Sequence, residues 1–171
     1  MQMYDMLGNI MTRKYSAAAA VVLGMHDALV SLTGMIGGLT FALAERQLIV
    51  LTATIASVAA GLSMAASNYL AEKTNGNPHA LRAGTITGAA YLGTCAALIL
   101  PFIIMSDTYA ALIMSFAMAV IIIFGCNFCI CRRHGRPFWR HAIEMLIICA
   151  GVSIVSFIIG EVAKHTLGVL I

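Results

Sequence analysis

One acidic residue lies where a charge is costly. Asp27 falls near the middle of the first long apolar segment, residues 15–44. A charged side chain at the centre of a bilayer costs about 2.5–3.5 kcal/mol on insertion scales. Such a group is retained where it binds an ion, carries a proton or lines a water-filled path. Asp27 is therefore the first candidate functional residue, and its chemistry is that of cations or protons.

Small and polar side chains recur at helical spacing in the first two apolar segments. Those that share a helix face with Asp27 are Gly24, Ser31, Gly34 and Gly38. Those of the second segment are Ser57, Gly61, Met64, Asn68 and Glu72. Residues three or four apart lie on one side of a helix. If the two faces meet, they line a narrow polar path with the Asp27 carboxylate and the Met64 thioether at its centre.

A carboxylate and a thioether together suit a transition metal. Carboxylates are hard ligands that also bind Mg²⁺ and Ca²⁺, whereas soft sulfur ligands favour later transition metals. The pair discriminates against abundant hard cations and holds a metal less tightly than thiolates would. Two copies of Asp27 and Met64 across a homodimer axis would supply four ligands. Metal and proton then compete for one carboxylate, because burial disfavours its charge and a cation favours it. This competition gives antiport if access alternates.

Each of these residues also has a purely structural interpretation. Met64 is good filler for an apolar core. Asp27 would be tolerated as a hydrogen-bonded or neutral acid. Asn68 would serve as a hydrogen bond between helices, and Glu72 would be a solvated charge near the membrane surface. These alternatives stay open at the level of sequence.

The composition is that of a membrane protein. The 171 residues are 61% hydrophobic and 10% charged, whereas soluble domains are about 25% charged. About 20 apolar residues span a bilayer as a helix. Five segments qualify, at residues 15–44, 48–73, 78–104, 108–131 and 142–167. Short connections leave no room for another folded domain, so residues 1–171 are predicted to form a single all-α transmembrane domain.

Basic residues predict the orientation of this domain. Those assigned to one side are Arg13, Lys14, Lys73, Arg82, Arg132, Arg133, Arg136 and Arg140, and those on the other are Arg46 and Lys164. Cytoplasmic loops carry the excess of lysine and arginine. The amino terminus is therefore predicted to be cytoplasmic, in the cell inner membrane or an organellar membrane. The net positive charge reflects this topology, and no nucleic-acid partner is expected.

A cysteine cluster ends the fourth segment. Cys126, Cys129 and Cys131, followed by His134, have side chains that bind transition metals. The alternative is that cysteine serves here as a small apolar residue. No phosphate loop, HExxH motif or serine triad is present, so neither an enzyme nor a cofactor is expected. Two rival functions remain: a thiol redox membrane enzyme that uses Cys126 and Cys129, and a membrane scaffold without transport.

Two motifs resemble those of the vacuolar iron transporter family. Residues 24–30 read GMHDALV, with LTG at 32–34, similar to the family pattern G-x-x-D-G-L-V…G. Residues 63–70 read SMAASNYL, similar to S-M-A-x-G-E-Y. The resemblance implies a five-helix homodimer that moves Fe²⁺, and often Mn²⁺, out of the cytosol in exchange for protons. It also implies that Asp27 and Met64 are midmembrane metal ligands at the dimer interface.

The chain departs from this family pattern at three points. Ala28 replaces a glycine, and Asn68 replaces a glutamate. A short turn at residues 73–78 stands where many members carry a cytoplasmic metal-binding domain, as in the nodulin-like branch. We hypothesise that Glu72, or the cysteine cluster with His134, captures metal in place of that domain.

Overall fold

The computed structural model describes residues 17–43, 45–134 and 138–167, and every regular element in these ranges is a helix. The helices are α1 (Ala17–Leu43), α2 (Arg46–Thr74), α3 (Ala80–Ile104), α4 (Thr108–His134) and α5 (Phe138–Leu167). Each contains a stretch long and apolar enough to cross a membrane. The predicted all-α membrane protein with five spanning helices is confirmed. The cytoplasmic amino terminus and the homodimer stay predictions.

The helices form one bundle around α1. Helix α1 contacts all four others, most extensively α5 and α3, and α2 packs mainly along α3. The largest side chains that are fully buried come from four of the five helices and include Leu29, Ile49, Phe102 and Ile123. Only 11% of the most apolar window of α5 is buried. Helix α5 therefore lies at the edge of the bundle and leaves an apolar face for lipid or another chain.

Short connections join α1 to α2 and α2 to α3. Glu45 has an extended backbone (φ −87°, ψ 110°) and precedes α2 directly. The α2–α3 turn passes through Gly76 at φ 72°, a left-handed conformation that glycine adopts without steric cost. Both turns are so short that α1, α2 and α3 must run antiparallel as neighbours.

Arg46, the first residue of α2, caps the carboxyl-terminal end of α3. Its Nη1 donates to the carbonyl oxygens of Phe102, Ile103 and Met105 at 3.1, 3.3 and 3.0 Å. The last carbonyls of a helix lack partners within the helix and carry partial negative charge. Arg46 satisfies these groups in the turn that follows Pro101 of α3.

Glycines permit close contact between three pairs of helices. A Cβ at Gly24 would lie 2.1 Å from the carbonyl oxygen of Thr87 in α3. A Cβ at Gly160 of α5 would lie 2.6 Å from the carbonyl oxygen of Gly38 in α1. A Cβ at Gly84 of α3 would similarly meet the carbonyl oxygen of Ala65 in α2 at 2.5 Å. Small residues at these crossings let the backbones approach and gain van der Waals contact.

The glycines that share a face of α1 with Asp27 pack against two different helices. Gly24 packs against α3, whereas Gly34 and Gly38 pack against Val152 and Ser156 of α5. Within one chain, this face therefore does not lie as a whole against the polar face of α2. Glycine spacing identifies a packing face but does not say which helix covers it, and here two different helices do.

Candidate metal site

Asp27 lies on the open side of α1. Ala28 and Leu29 are completely buried, because α1 turns its apolar residues towards the other helices. Asp27 and Ser31, one turn apart, are exposed in the single chain, as is Leu23 one turn earlier. The described helices therefore leave the Asp27 side chain exposed in the single chain.

Two hydroxyl groups support the backbone at Asp27. The Ser31 Oγ donates to the carbonyl oxygen of Asp27 at 2.7 Å. The same Oγ lies 3.0 Å from the Tyr91 Oη of α3. Tyr91 is 3% exposed, so its hydroxyl reaches the open face of α1 from within the bundle. The Asp27 turn is thereby tied to α3.

Met64 of α2 is half-buried against the apolar core. Gly61, one turn away, leaves room for two side chains of α3. A Cβ at Gly61 would lie 2.8 Å from Leu92 Cδ2 and 3.3 Å from Cδ1 of the Tyr91 ring. Tyr91 lies beside Ser31 of α1 and Gly61 of α2. Asp27 is one turn from Ser31, and Met64 is one turn from Gly61. Because α1 and α2 are antiparallel, both of these turns run towards the α2–α3 turn. Tyr91 therefore touches the turns of both predicted ligands.

Asn68 uses its amide nitrogen to hold α2 against α3. Its Nδ2 donates to the Thr87 Oγ1 at 2.6 Å and to the Ala83 carbonyl oxygen at 3.3 Å. These are the interhelical hydrogen bonds that the sequence left as the alternative to a ligand role. The donor groups of Asn68 therefore point to α3.

Glu72 belongs to the α2–α3 turn. Its Oε2 accepts a hydrogen bond from the Asn77 Nδ2 at 2.6 Å, and its carbonyl oxygen accepts one from the Asn77 backbone at 3.0 Å. The side chain is half-buried. It lies two turns from Met64 along α2, so Glu72 is a residue of the bundle end and not of its centre.

The cysteine cluster is described only in part. The Cys126 thiol donates to the Met25 thioether of α1, which joins α4 to the buried side of α1. Cys95, Cys126 and Cys149 are free thiols. The side chains of Cys129, Cys131 and His134 lie outside the described residues, and the proposed role of this cluster in metal capture stays a hypothesis.

A single copy of the described ranges does not gather a conventional metal site. Within them, no three His, Cys, Asp or Glu side chains converge on one point. Two surface concavities, of about 430 Å³ beside α5 and about 190 Å³ between α3 and α4, include neither Asp27 nor Met64. Of the four predicted metal residues, Asp27 and Met64 each lie one turn from a residue beside Tyr91, whereas Asn68 and Glu72 lie further along α2 towards the α2–α3 turn.

Tyr91 is the residue that sequence reasoning missed. A tyrosine in an apolar helix is unremarkable by itself. Its spacing held a signal, however, because Tyr91 follows Gly84 and Gly88 by seven and three residues and so shares their packing face.

A comparison with known protein families matches the part of the chain that contains the predicted metal residues. A sequence profile of the VIT family matches residues 18–78, which comprise nearly all of α1, all of α2 and the turn that follows. A comparison with curated proteins finds no match. The matched region contains all four predicted metal residues.

Proposed function

Because this chain belongs to the vacuolar iron transporter (VIT) family, we propose that it carries Fe²⁺ or Mn²⁺ across the membrane and away from the cytosol. It is a multi-pass integral membrane protein, and membership of a transporter family supports metal transport as its general function. The choice of metal, the direction and the coupling are proposals that rest on the residues around Asp27.

The observation that carries the proposal is the uncovered carboxylate of Asp27. It is exposed on α1 between helices, whereas the next two residues are fully buried. In a bilayer this position would place a charge against lipid at a cost of several kcal/mol. A second copy of the chain that covers the face, together with a cation that neutralises it, removes that cost.

A homodimer also completes the ligand set. One chain offers one carboxylate and one thioether at this level, and two chains related by a two-fold axis offer two of each. Mixed hard and soft ligands favour Fe²⁺ over Mg²⁺ more than four carboxylates would, whereas Mn²⁺, a harder ion, gains less from the sulfur ligands. The site holds the ion firmly enough to replace its water and loosely enough to release it, as transport requires.

Proton coupling follows from the same carboxylate. When the metal leaves, an isolated charge in a dry site is unfavourable, and a proton neutralises it instead. If the site opens alternately to the two sides, metal and proton move in opposite directions. Asp27 alone is sufficient for this exchange.

The test is metal flux into liposomes that contain the purified protein. A fluorescent indicator inside reports Fe²⁺, Mn²⁺, Zn²⁺, Co²⁺, Ca²⁺ and Mg²⁺ in turn, with and without a pH gradient. We expect Fe²⁺ and Mn²⁺ to enter and the hard cations to be excluded. Asp27→Asn should reduce flux to the level of empty liposomes and leave the elution of the folded protein unchanged.

The matched control is Asp107→Asn. Asp107 is exposed in the α3–α4 connection, where its Oδ1 accepts a hydrogen bond from the Tyr109 backbone. An asparagine keeps that acceptor, so flux should equal that of the unaltered protein. Full transport by Asp27→Asn would remove this residue from the mechanism.

A further inference from the structure

We propose that Tyr91 sets the spacing between the Asp27 and Met64 turns and thereby the metal preference of the site. This inference rests on the proposed transport function. Tyr91 is a positioning residue in this account, since it acts through the backbone of α1 and the surface of α2 and not as a ligand.

The hydrogen-bond directions around Ser31 are determined by its single proton. The Ser31 Oγ donates that proton to the Asp27 carbonyl oxygen, so it has none left for Tyr91. The 3.0 Å contact between the two hydroxyls is therefore a hydrogen bond from Tyr91 to Ser31. The resulting chain runs from the Tyr91 hydroxyl through Ser31 to the backbone of Asp27.

The hydroxyl of Tyr91 is linked to α1, and its ring contacts α2. The ring shares with Leu92 the space where Gly61 of α2 has no side chain: the position of a Cβ there lies 2.8 Å from Leu92 Cδ2 and 3.3 Å from Tyr91 Cδ1. The backbone of Tyr91 is itself held close to α1, because its nitrogen lies 3.1 Å from a Cβ at Gly24. The ring is thus fixed at its root and cannot follow α2 if α2 moves away from α1.

A site with one hard and one soft ligand from each subunit depends on this spacing. Transition metals differ in preferred geometry and in affinity for sulfur, and a displacement of about 1 Å weakens a preorganised site markedly. Without the Tyr91 hydroxyl, the Asp27 turn loses its hydrogen-bonded link to α3, while the ring stays beside Gly61. Affinity should fall, and the discrimination between metals should change with it.

The expected effect is that of one hydrogen bond. Tyr91→Phe should raise the KM for Mn²⁺ by about twofold to tenfold, with a smaller change in the maximal rate. The ratio of the KM values for Mn²⁺ and Cd²⁺ should also shift, because Cd²⁺ depends more on the sulfur ligand. A residue that served stability alone would lower the amount of folded protein and leave both quantities unchanged.

The experiment measures these KM values in liposomes for four variants. Tyr91→Phe removes the bond between Tyr91 and Ser31, and Ser31→Ala removes that bond together with the bond from Ser31 to the Asp27 carbonyl oxygen. Ser31→Ala should therefore shift the KM at least as far as Tyr91→Phe, and the double variant should equal Ser31→Ala. Tyr109→Phe is the matched control, since Tyr109 is exposed and its ring faces Phe41 at 6.2 Å. It should behave like the unaltered protein.

The outcomes separate this inference from the function on which it rests. If the unaltered protein transports Mn²⁺ and both Tyr91→Phe and Ser31→Ala keep its KM values and metal ratio, the positioning role is overturned and the transport function stands. If the two single changes add in the double variant, they do not act through one bond, and the inference is again overturned. If the unaltered protein moves no metal, both proposals fail.

Discussion

Asn68 of α2 donates a hydrogen bond to the Thr87 Oγ1 of α3 at 2.6 Å. Thr87 has already given its own proton to the Ala83 carbonyl oxygen at 3.0 Å, so it can only accept from Asn68. The second acceptor for the Asn68 amide is that same carbonyl oxygen. Position 68 therefore requires a donor, and an ionised carboxylate would face two acceptors there.

The first prediction follows from this requirement. Asn68→Asp should lower the free energy of unfolding by about 1–3 kcal/mol at neutral pH, because the donor is lost and two acceptors face a charge. Thermal unfolding in detergent measures the loss. Lowering the pH should recover part of it, since a protonated carboxyl group donates again. Asn75→Asp, at an exposed position, is the control, and an equal loss in both variants would contradict the hydrogen-bond account.

The family pattern has a glutamate where this chain has Asn68, and this difference affects how protons could be coupled to metal transport. In this chain the position carries a group that does not titrate and that is engaged with α3. Any exchange of protons for metal must then use another group, and Asp27 is the one that the proposal assigns. Asn68 is better explained by helix packing than by metal binding.

The second prediction concerns the closest approach of α1 to α3. Gly24→Ala would place a Cβ 2.1 Å from the Thr87 carbonyl oxygen, so the helices must separate. Overpacking of this kind costs about 1–3 kcal/mol, and more where backbone is involved. Gly93→Ala is the matched control, because no atom lies within 4 Å of a Cβ there. That change should be neutral or gain up to about 1 kcal/mol in helix propensity.

Unfolding midpoints of the two glycine variants test this prediction side by side. Gly24→Ala should also reduce metal flux in the molecules that remain folded, since the crossing holds the backbone of Tyr91 beside α1. Equal midpoints for the two variants would mean that α1 and α3 do not cross as tightly as described.

The third prediction addresses capture of metal at the α2–α3 turn. Glu72→Gln keeps an oxygen that can accept the hydrogen bond from Asn77, so the turn should remain folded while one negative charge disappears. If Glu72 attracts incoming metal, the KM should rise about fivefold, which corresponds to roughly 1 kcal/mol of lost attraction. Initial rates of uptake into vesicles provide the measurement.

Glu45→Gln is the control for this change, because Glu45 is an exposed carboxylate in the connection at the other end of α2. It should leave uptake from the side of the α2–α3 turn unchanged. Transport kinetics of Glu72→Gln equal to those of the unaltered protein would exclude Glu72 from the mechanism.

The fold could be read from the sequence because each spanning helix is recognisable alone. Length and apolar composition decide whether a segment crosses a bilayer, and neither depends on the neighbours of the segment. Which helices pack against one another was harder to predict from the sequence. Gly34 and Gly38 share a face with Gly24, yet they pack on α5 while Gly24 packs on α3, because the crossing angles of whole helices determine which partner each turn meets.

The candidate site, like the fold, could be predicted from the sequence only in part. Asp27 is conspicuous because a carboxylate in an apolar segment has few structural explanations. Met64 was found by its spacing from other polar residues and by the resemblance of residues 63–70 to the family motif. Tyr91 was not found, since its importance comes from two contacts, one with Ser31 and one beside Gly61, that exist only after α1, α2 and α3 have packed.

Binding of metal between two subunits is tested most directly by an anomalous-scattering map of crystals grown with Mn²⁺. We expect an anomalous peak between two copies of α1, bound by the Asp27 carboxylates and the Met64 thioethers, and no such peak in Asp27→Asn. A map in which Asp27 faces lipid, far from its counterpart in the second copy, with Mn²⁺ bound elsewhere, would contradict the account.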